Sequence, residues 1–164
     1  MLLFRTTVCL AACVVWLTQG LSFAATATTS FQVTATVPDS CVVSANDLNF
    51  GNYNPVSGND LDGSSTIDVT CTLGTTYNIG LDKGLGTGAS VASRKMASGS
   101  DLLDYSLYQD SNRNTVWGNT VSTDAVSGTG TGIAQSYTVY GRVPASQVVP
   151  VGTYTDTITV TVTF

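Results

Sequence analysis

Between Tyr154 and Phe164 every second residue is a threonine, and among the residues that alternate with them stand Tyr154, Ile158, Val160, Val162 and Phe164. Side chains alternate faces along a strand, so the threonines share one face and the large apolar residues the other, the pattern of a β-strand with one buried side. Chain ends ordinarily fray into solvent, yet this run closes on Phe164, an aromatic that has to be buried by something. Near the other end, Phe31-Gln32-Val33-Thr34-Ala35-Thr36-Val37 alternates in the same way. Strand-like segments at both extremities raise the expectation that strands are shared between molecules.

Residues 1 to about 25 read as a signal peptide, with Arg5 as the positive start and an apolar run from Val8 to Leu21. Small residues close it, and cleavage is expected after Ala24, Ala25 or Ala27. The run is shorter than the ~20 residues of a bilayer span, and Thr18, Gln19 and Gly20 interrupt its end, which favours export over anchoring. Leu10-Ala11-Ala12-Cys13 also spells a lipoprotein box, but the apolar run continues past it. About 139 residues remain, enough for one domain with a single core.

Loss of Arg5 takes the net charge from −5 to −6, and the chain has no His and no Glu. The remaining bases, Lys83, Arg94, Lys95, Arg113 and Arg142, are scattered, so there is no footprint for nucleic acid or an anionic membrane. Cys9 and Cys13 leave with the signal. Cys41 and Cys71 remain, and two cysteines in an oxidising compartment pair. Closing that loop contributes roughly 3–4 kcal/mol on the chain-entropy account. Two cysteines without a histidine do not make a metal site.

No stretch keeps a 3.6-residue apolar period. Short runs rich in Val, Ile, Tyr and Thr alternate with Gly, Asn, Asp and Pro clusters, the rhythm of an antiparallel sandwich. Strands are expected near 31–37, 41–44, 48–53, 65–73, 76–81, 102–109, 115–117, 134–143 and 153–164. Turns are expected at Asn54–Gly63, Lys83–Gly88, Asp110–Asn114 and Ser127–Gly132.

The candidates for chemistry are weak. Gly84-Leu85-Gly86-Thr87-Gly88 misses the spacing of both phosphate-binding glycine motifs and reads as an inter-strand loop. Asp60-Leu61-Asp62-Gly63 resembles part of a calcium loop, but Gly58 and Val69 then fall where acidic ligands belong. Asp110, Asn112 and Asn114 read as a polar turn. Without His the usual general base is missing, and Ser93-Arg94-Lys95 lacks the spacing of a serine–lysine pair. Neither Asp101 with Asp104 nor Asp60 with Asp62 sits in an apolar setting that would raise a carboxyl pKa. The reading is no enzyme, no cofactor and no small-molecule substrate.

Taken together, Cys41-Val42-Val43-Ser44, Leu48-Asn49-Phe50-Gly51-Asn52-Tyr53 and Ile67-Asp68-Val69-Thr70-Cys71 begin a familiar series. Leu103-Asp104-Tyr105-Ser106-Leu107-Tyr108-Gln109-Asp110, Trp117-Gly118, Val139-Tyr140-Gly141-Arg142-Val143-Pro144 and the run from Gly152 to Phe164 continue it. The chain resembles the spore coat protein U family, whose members include pilins of the archaic chaperone–usher pathway of Gram-negative bacteria. The resemblance spans essentially the whole exported chain.

It implies an all-β, incomplete immunoglobulin-like antiparallel sandwich completed by a donated strand. Such a fold leaves an apolar cleft beside unpaired backbone, an edge that must be covered. In the family a periplasmic pilus chaperone lends a strand first, and the N-terminal segment of another subunit then replaces it at an outer-membrane usher. Carried onto this sequence, residues 1–25 are the signal, 26–38 an N-terminal extension and 39–164 the pilin-type domain. Phe31, Val33, Ala35 and Val37 form the donor face, and Ile158, Val160, Val162 and Phe164 line the acceptor groove and pair with the chaperone. Partners are then the chaperone, the usher and other copies of itself or sister pilins, on a surface pilus that supports adhesion and biofilm formation. Residues 31–37 as the domain's own first strand remain an alternative, as do a spore or cell coat protein and a monomeric secreted binding module. Tyr105, Leu107, Trp117, Tyr137, Val139 and Phe50 read as core packing.

Overall fold

The computed structural model describes residues 23–164. The chain divides into two units, Met1–Ala35 and Thr36–Phe164. Of the first, residues 23–35 form neither helix nor strand and are exposed throughout. The signal peptide expected at 1–25 lies, but for its last three residues, outside the described residues.

The second unit is built only of strands, β1 (Cys41–Ala45), β2 (Leu61–Cys71), β3 (Thr76–Leu81), β4 (Arg94–Ser98), β5 (Asp101–Tyr108), β6 (Val126–Thr129), β7 (Gln135–Val143) and β8 (Val160–Thr163). They make a larger sheet in the order β1-β2-β7-β5-β4 and a smaller one in the order β6-β3-β8, with every pairing antiparallel. Period-two patterning decides which side of each strand is covered. Ile67 and Val69 of β2, Leu103, Tyr105 and Leu107 of β5, and Val139 and Val143 of β7 turn inward against Tyr77, Ile79 and Leu81 of β3. Burying each such side chain stabilises the fold by roughly 1.5–3 kcal/mol. Trp117 is 1% exposed, and its indole N–H donates to Ile79 O at 2.8 Å. Burial, with a hydrogen bond to Tyr137 adding to it, pushes the Tyr77 phenol up to about 12, and its hydroxyl lies 2.8 Å from Tyr137 Oη.

Cys41 stands directly opposite Cys71 in the β1–β2 register, and the two are joined as a disulfide with Cα atoms 4.1 Å apart. The pairing expected from the cysteine count is present. Residues 42–45 of β1 are all exposed, so this edge strand is held by its backbone ladder and the disulfide rather than by burial.

Several expected elements differ. Residues 31–37 form no strand, so they are not the first strand of this domain. Residues 48–53 alternate as a strand would but join no ladder among the described residues, and Leu48 and Phe50 lie instead against Gly63 and Gly141 of the larger sheet. Of 153–164 only β8 is regular strand, preceded by an isolated bridge between Thr155 and Ala97, and Val116 likewise forms only a bridge, to Tyr108. β2 begins at Leu61, inside the stretch expected to turn, because Asp62 pairs with Arg142 and Gly63 with Gly141. β4 was not foreseen, since Arg94-Lys95-Met96-Ala97-Ser98 has no β-branched residue. β6 occupies part of the expected turn at 127–132. Its Gly128 is there for space, since a Cβ would stand 2.5 Å from Tyr137 Oη.

Candidate functional site

A groove of about 790 Å³ runs between the stretch from Ala45, the end of β1, to residue 52 on one side and residues 152–158 leading into β8 on the other, the latter joined to β4 by the Thr155–Ala97 bridge. Ile67, Leu107, Val139 and Val143 of the larger sheet and Leu81 of the smaller form its floor. Leu48, Phe50, Met96, Tyr154, Ile158 and Val160 form its sides and are only partly buried. The floor residues are themselves buried, so the apolar surface left accessible along the slot is that of its sides.

The hydrogen bonding of β3 shows which way the backbone of β8 faces. Asp82 N donates to Thr159 O at 3.1 Å, which makes Thr159 a hydrogen-bonded partner of β3. In an antiparallel ladder such pairs alternate with pairs whose N–H and C=O point away from each other. Leu81, opposite Val160, gives its N–H to Gly118 O, and its carbonyl accepts from Arg94 Nη2. Ile79, opposite Val162, has its carbonyl taken by Trp117. The N–H and C=O of Ile158, Val160 and Val162 thus point to the open edge, where no backbone partner stands among the described residues. The same residues that line or flank the groove with apolar side chains offer it unpaired backbone.

The rim on this side is fixed by carboxylates. Asp156 accepts from Tyr105 Oη at 2.7 Å and from Leu85 N at 2.8 Å. Burial, reinforced by Asp156, pushes the Tyr105 phenol well above its ordinary range, so it remains a donor. Gly84 has φ +77°, and a Cβ there would overlap the Asp156 carboxylate, so the loop after β3 needs glycine at that point. Asp82 Oδ1 accepts from Thr159 N and from Gly84 N, both at 3.0 Å. The opposite wall is held by Ser65, whose hydroxyl donates to Asn46 O at 2.6 Å, and by Tyr53, whose hydroxyl donates to Pro144 O at 2.9 Å.

Ile158 and Val160 line the groove, Val162 packs against the same core, and Phe164 is 59% exposed beyond it. Phe31 and Val33 are 86% and 81% exposed, and Ala35 and Val37 are exposed as well. Tyr105, Leu107, Trp117 and Val139 are core as expected, while Phe50 and Tyr137 are only partly buried. Sequence reasoning missed the wall at 45–52 and the Tyr105–Asp156 clasp, because the first alternates like an ordinary strand and the second joins distant residues. Of the aspartates weighed as metal or acid pairs, Asp60, Asp62 and Asp104 are engaged in ion pairs. Asp62 accepts from Arg142 Nε at 2.8 Å, Asp60 lies 3.4 Å from Arg142 Nη1, and Lys95 Nζ is 2.5 Å from Asp104. The Arg142 hydrogen bond holds the Asp62 carboxyl below its usual range.

Two antiparallel sheets around an open apolar slot define an immunoglobulin-like sandwich of the pilin type. The Spore Coat Protein U domain matches residues 27–161, and the chain belongs to that family. Protein U of Myxococcus xanthus is 42% identical over 156 residues, which cover 86% of this chain and 87% of that relative. Among solved structures, the fold matches a chain of the pre-assembly complex between the chaperone and the tip adhesion subunit of the archaic chaperone–usher Csu pili of Acinetobacter baumannii. The TM-score is 0.58 and the identity 28%, over 79% of this chain and 40% of that one. The chain is a structural subunit of the coat or pilus kind, not an enzyme.

Proposed function

We propose that this chain is an exported subunit of a surface fibre assembled by donor-strand exchange. The carrying observation is the coincidence, along one edge, of an accessible apolar groove with the outward backbone of Ile158, Val160 and Val162. An extended segment laid there gains main-chain hydrogen bonds and side-chain burial together. The chain itself carries a segment of the right character in Phe31, Val33, Ala35 and Val37, exposed and without a strand partner among the described residues. Burying those four side chains in a neighbour's groove would contribute about 5–8 kcal/mol. A periplasmic chaperone covers the groove before assembly, and an outer-membrane usher orders the exchange. Fibres of this kind support adhesion and biofilm formation at the surface of a Gram-negative cell. The likeness to Protein U and the family's name favour a second reading, in which the same exchange builds a spore or cell coat.

Surface-sheared material run on SDS gels tests the exchange. The expected result is a ladder that survives cold SDS and collapses on boiling. Phe31→Asp with Val33→Asp should remove the ladder while leaving folded, chaperone-bound subunit. A normal ladder from that double variant would refute the donor assignment. A single monomer band from folded, disulfide-bonded wild-type chain would leave a self-contained secreted binding module instead.

A further inference from the structure

The wall at 45–52 is seated in a trough of the larger sheet. Gly63 of β2 faces Gly141 of β7 in register, and Leu107 of β5 follows in the same row. A methyl group on Gly141 would stand 2.7 Å from Phe50 Cζ and 3.0 Å from Leu48 Cδ1. One on Gly63 would stand 3.1 Å from Phe50 Cδ1 and 3.2 Å from Leu48 Cδ2. Neither glycine has a positive φ, so the backbone would accept any residue and space is what counts: at Gly141 something must shift, while at Gly63 the neighbours must give by a few tenths of an ångström. Beside them Ser65 gives its hydroxyl to the carbonyls of Asn46 and Asp47, at 2.6 and 3.1 Å. Phe50 is held edge-on to Tyr105, with ring centroids 6.1 Å apart.

Resting on the strand-acceptor reading above, we propose that Gly63 and Gly141, with Ser65, are positioning residues that set the width of the groove for the donor strand. They let Leu48 and Phe50 sink onto the sheet, so that these side chains form a wall without occupying the slot. The sheet lies on one side of Phe50 and the open groove on the other. A bulkier seat therefore displaces the ring in the one direction that has room, into the path of the incoming segment. Overpacking of this kind is felt at the scale of a single methyl group.

The test compares the cold-SDS ladders of full-length wild type, Gly141→Ala, and Gly141→Ala combined with Phe50→Ala. The single substitution should cut the ladder about tenfold or more, and removing the ring should restore it. An undiminished ladder in Gly141→Ala overturns the proposal. So does a loss that Phe50→Ala fails to reverse, because a glycine needed only for folding the sheet is not rescued by deleting a packed ring. If the single variant does not accumulate folded, the double variant decides in the same way. A wild type without a ladder defeats strand exchange itself, whereas a ladder indifferent to Gly141 defeats only the seat.

Discussion

Arg94 has no exposed surface and no carboxylate partner within ion-pair distance among the described residues. Its guanidinium donates instead to Asp82 O at 2.8 Å, Val91 O at 2.8 Å, Leu81 O at 3.1 Å and Trp117 O at 2.7 Å. Burial lowers its pKa from the ordinary arginine value, while Tyr105 and the carboxylates of Asp82, Asp156 and Asp124 oppose that shift. A buried cation is tolerable only when its donors are satisfied, and here one planar fork joins the end of β3, the turn before β4 and the Trp117 segment. Arg94→Met strands those carbonyls, each costing about 1–3 kcal/mol when left buried without a donor. The variant should lose about 3 kcal/mol or more of stability in urea unfolding followed by Trp117 fluorescence. A loss below about 1 kcal/mol, the worth of an ordinary hydrogen bond, would show that the fork is dispensable. In the sequence Arg94 is one scattered base among six, because nothing local marks a side chain whose acceptors lie 3 to 23 residues away.

Among the elements, β8 carries the site. Its outward amides give a prediction by hydrogen exchange on the subunit before and after polymerisation. Ile158, Val160 and Val162 should exchange readily before and slowly after, while Thr161 and Thr163, which face β3, stay protected throughout. Equal exchange in both states would place the donor elsewhere. The buried sides of β2, β3, β5 and β7 were legible in the sequence because each is an alternating run whose apolar face meets the other sheet. β4 and β6 were not, since charged residues and a glycine occupy positions fixed by tertiary neighbours rather than by propensity. The groove-lining face of the last strand could be read as alternation. Its opposite wall could not, because Leu48 and Phe50 alternate identically whether they join a ladder or cross over a glycine trough.

At the level of the whole molecule, stability and assembly meet at Cys41. Replacing both cysteines by serine frees β1, whose residues 42–45 are all exposed, and should cost roughly 3–4 kcal/mol in thermal or urea unfolding. An unchanged midpoint would mean that the backbone ladder alone holds the strand. Pro38 O and Ser40 O are also held, by Thr72 Oγ1 at 3.3 Å and Thr72 N at 2.9 Å, and Asp39 accepts from Thr75 Oγ1 at 2.6 Å. The extension therefore leaves the domain from a fixed root. Under tension, a pull on residue 40 crosses the sulfur bridge at Cys71 and passes into the chain that follows it. The stretch between Cys41 and Cys71, β2 included, lies off that covalent line, a reserve of about 100 Å of chain that cannot be drawn out while the bridge is closed.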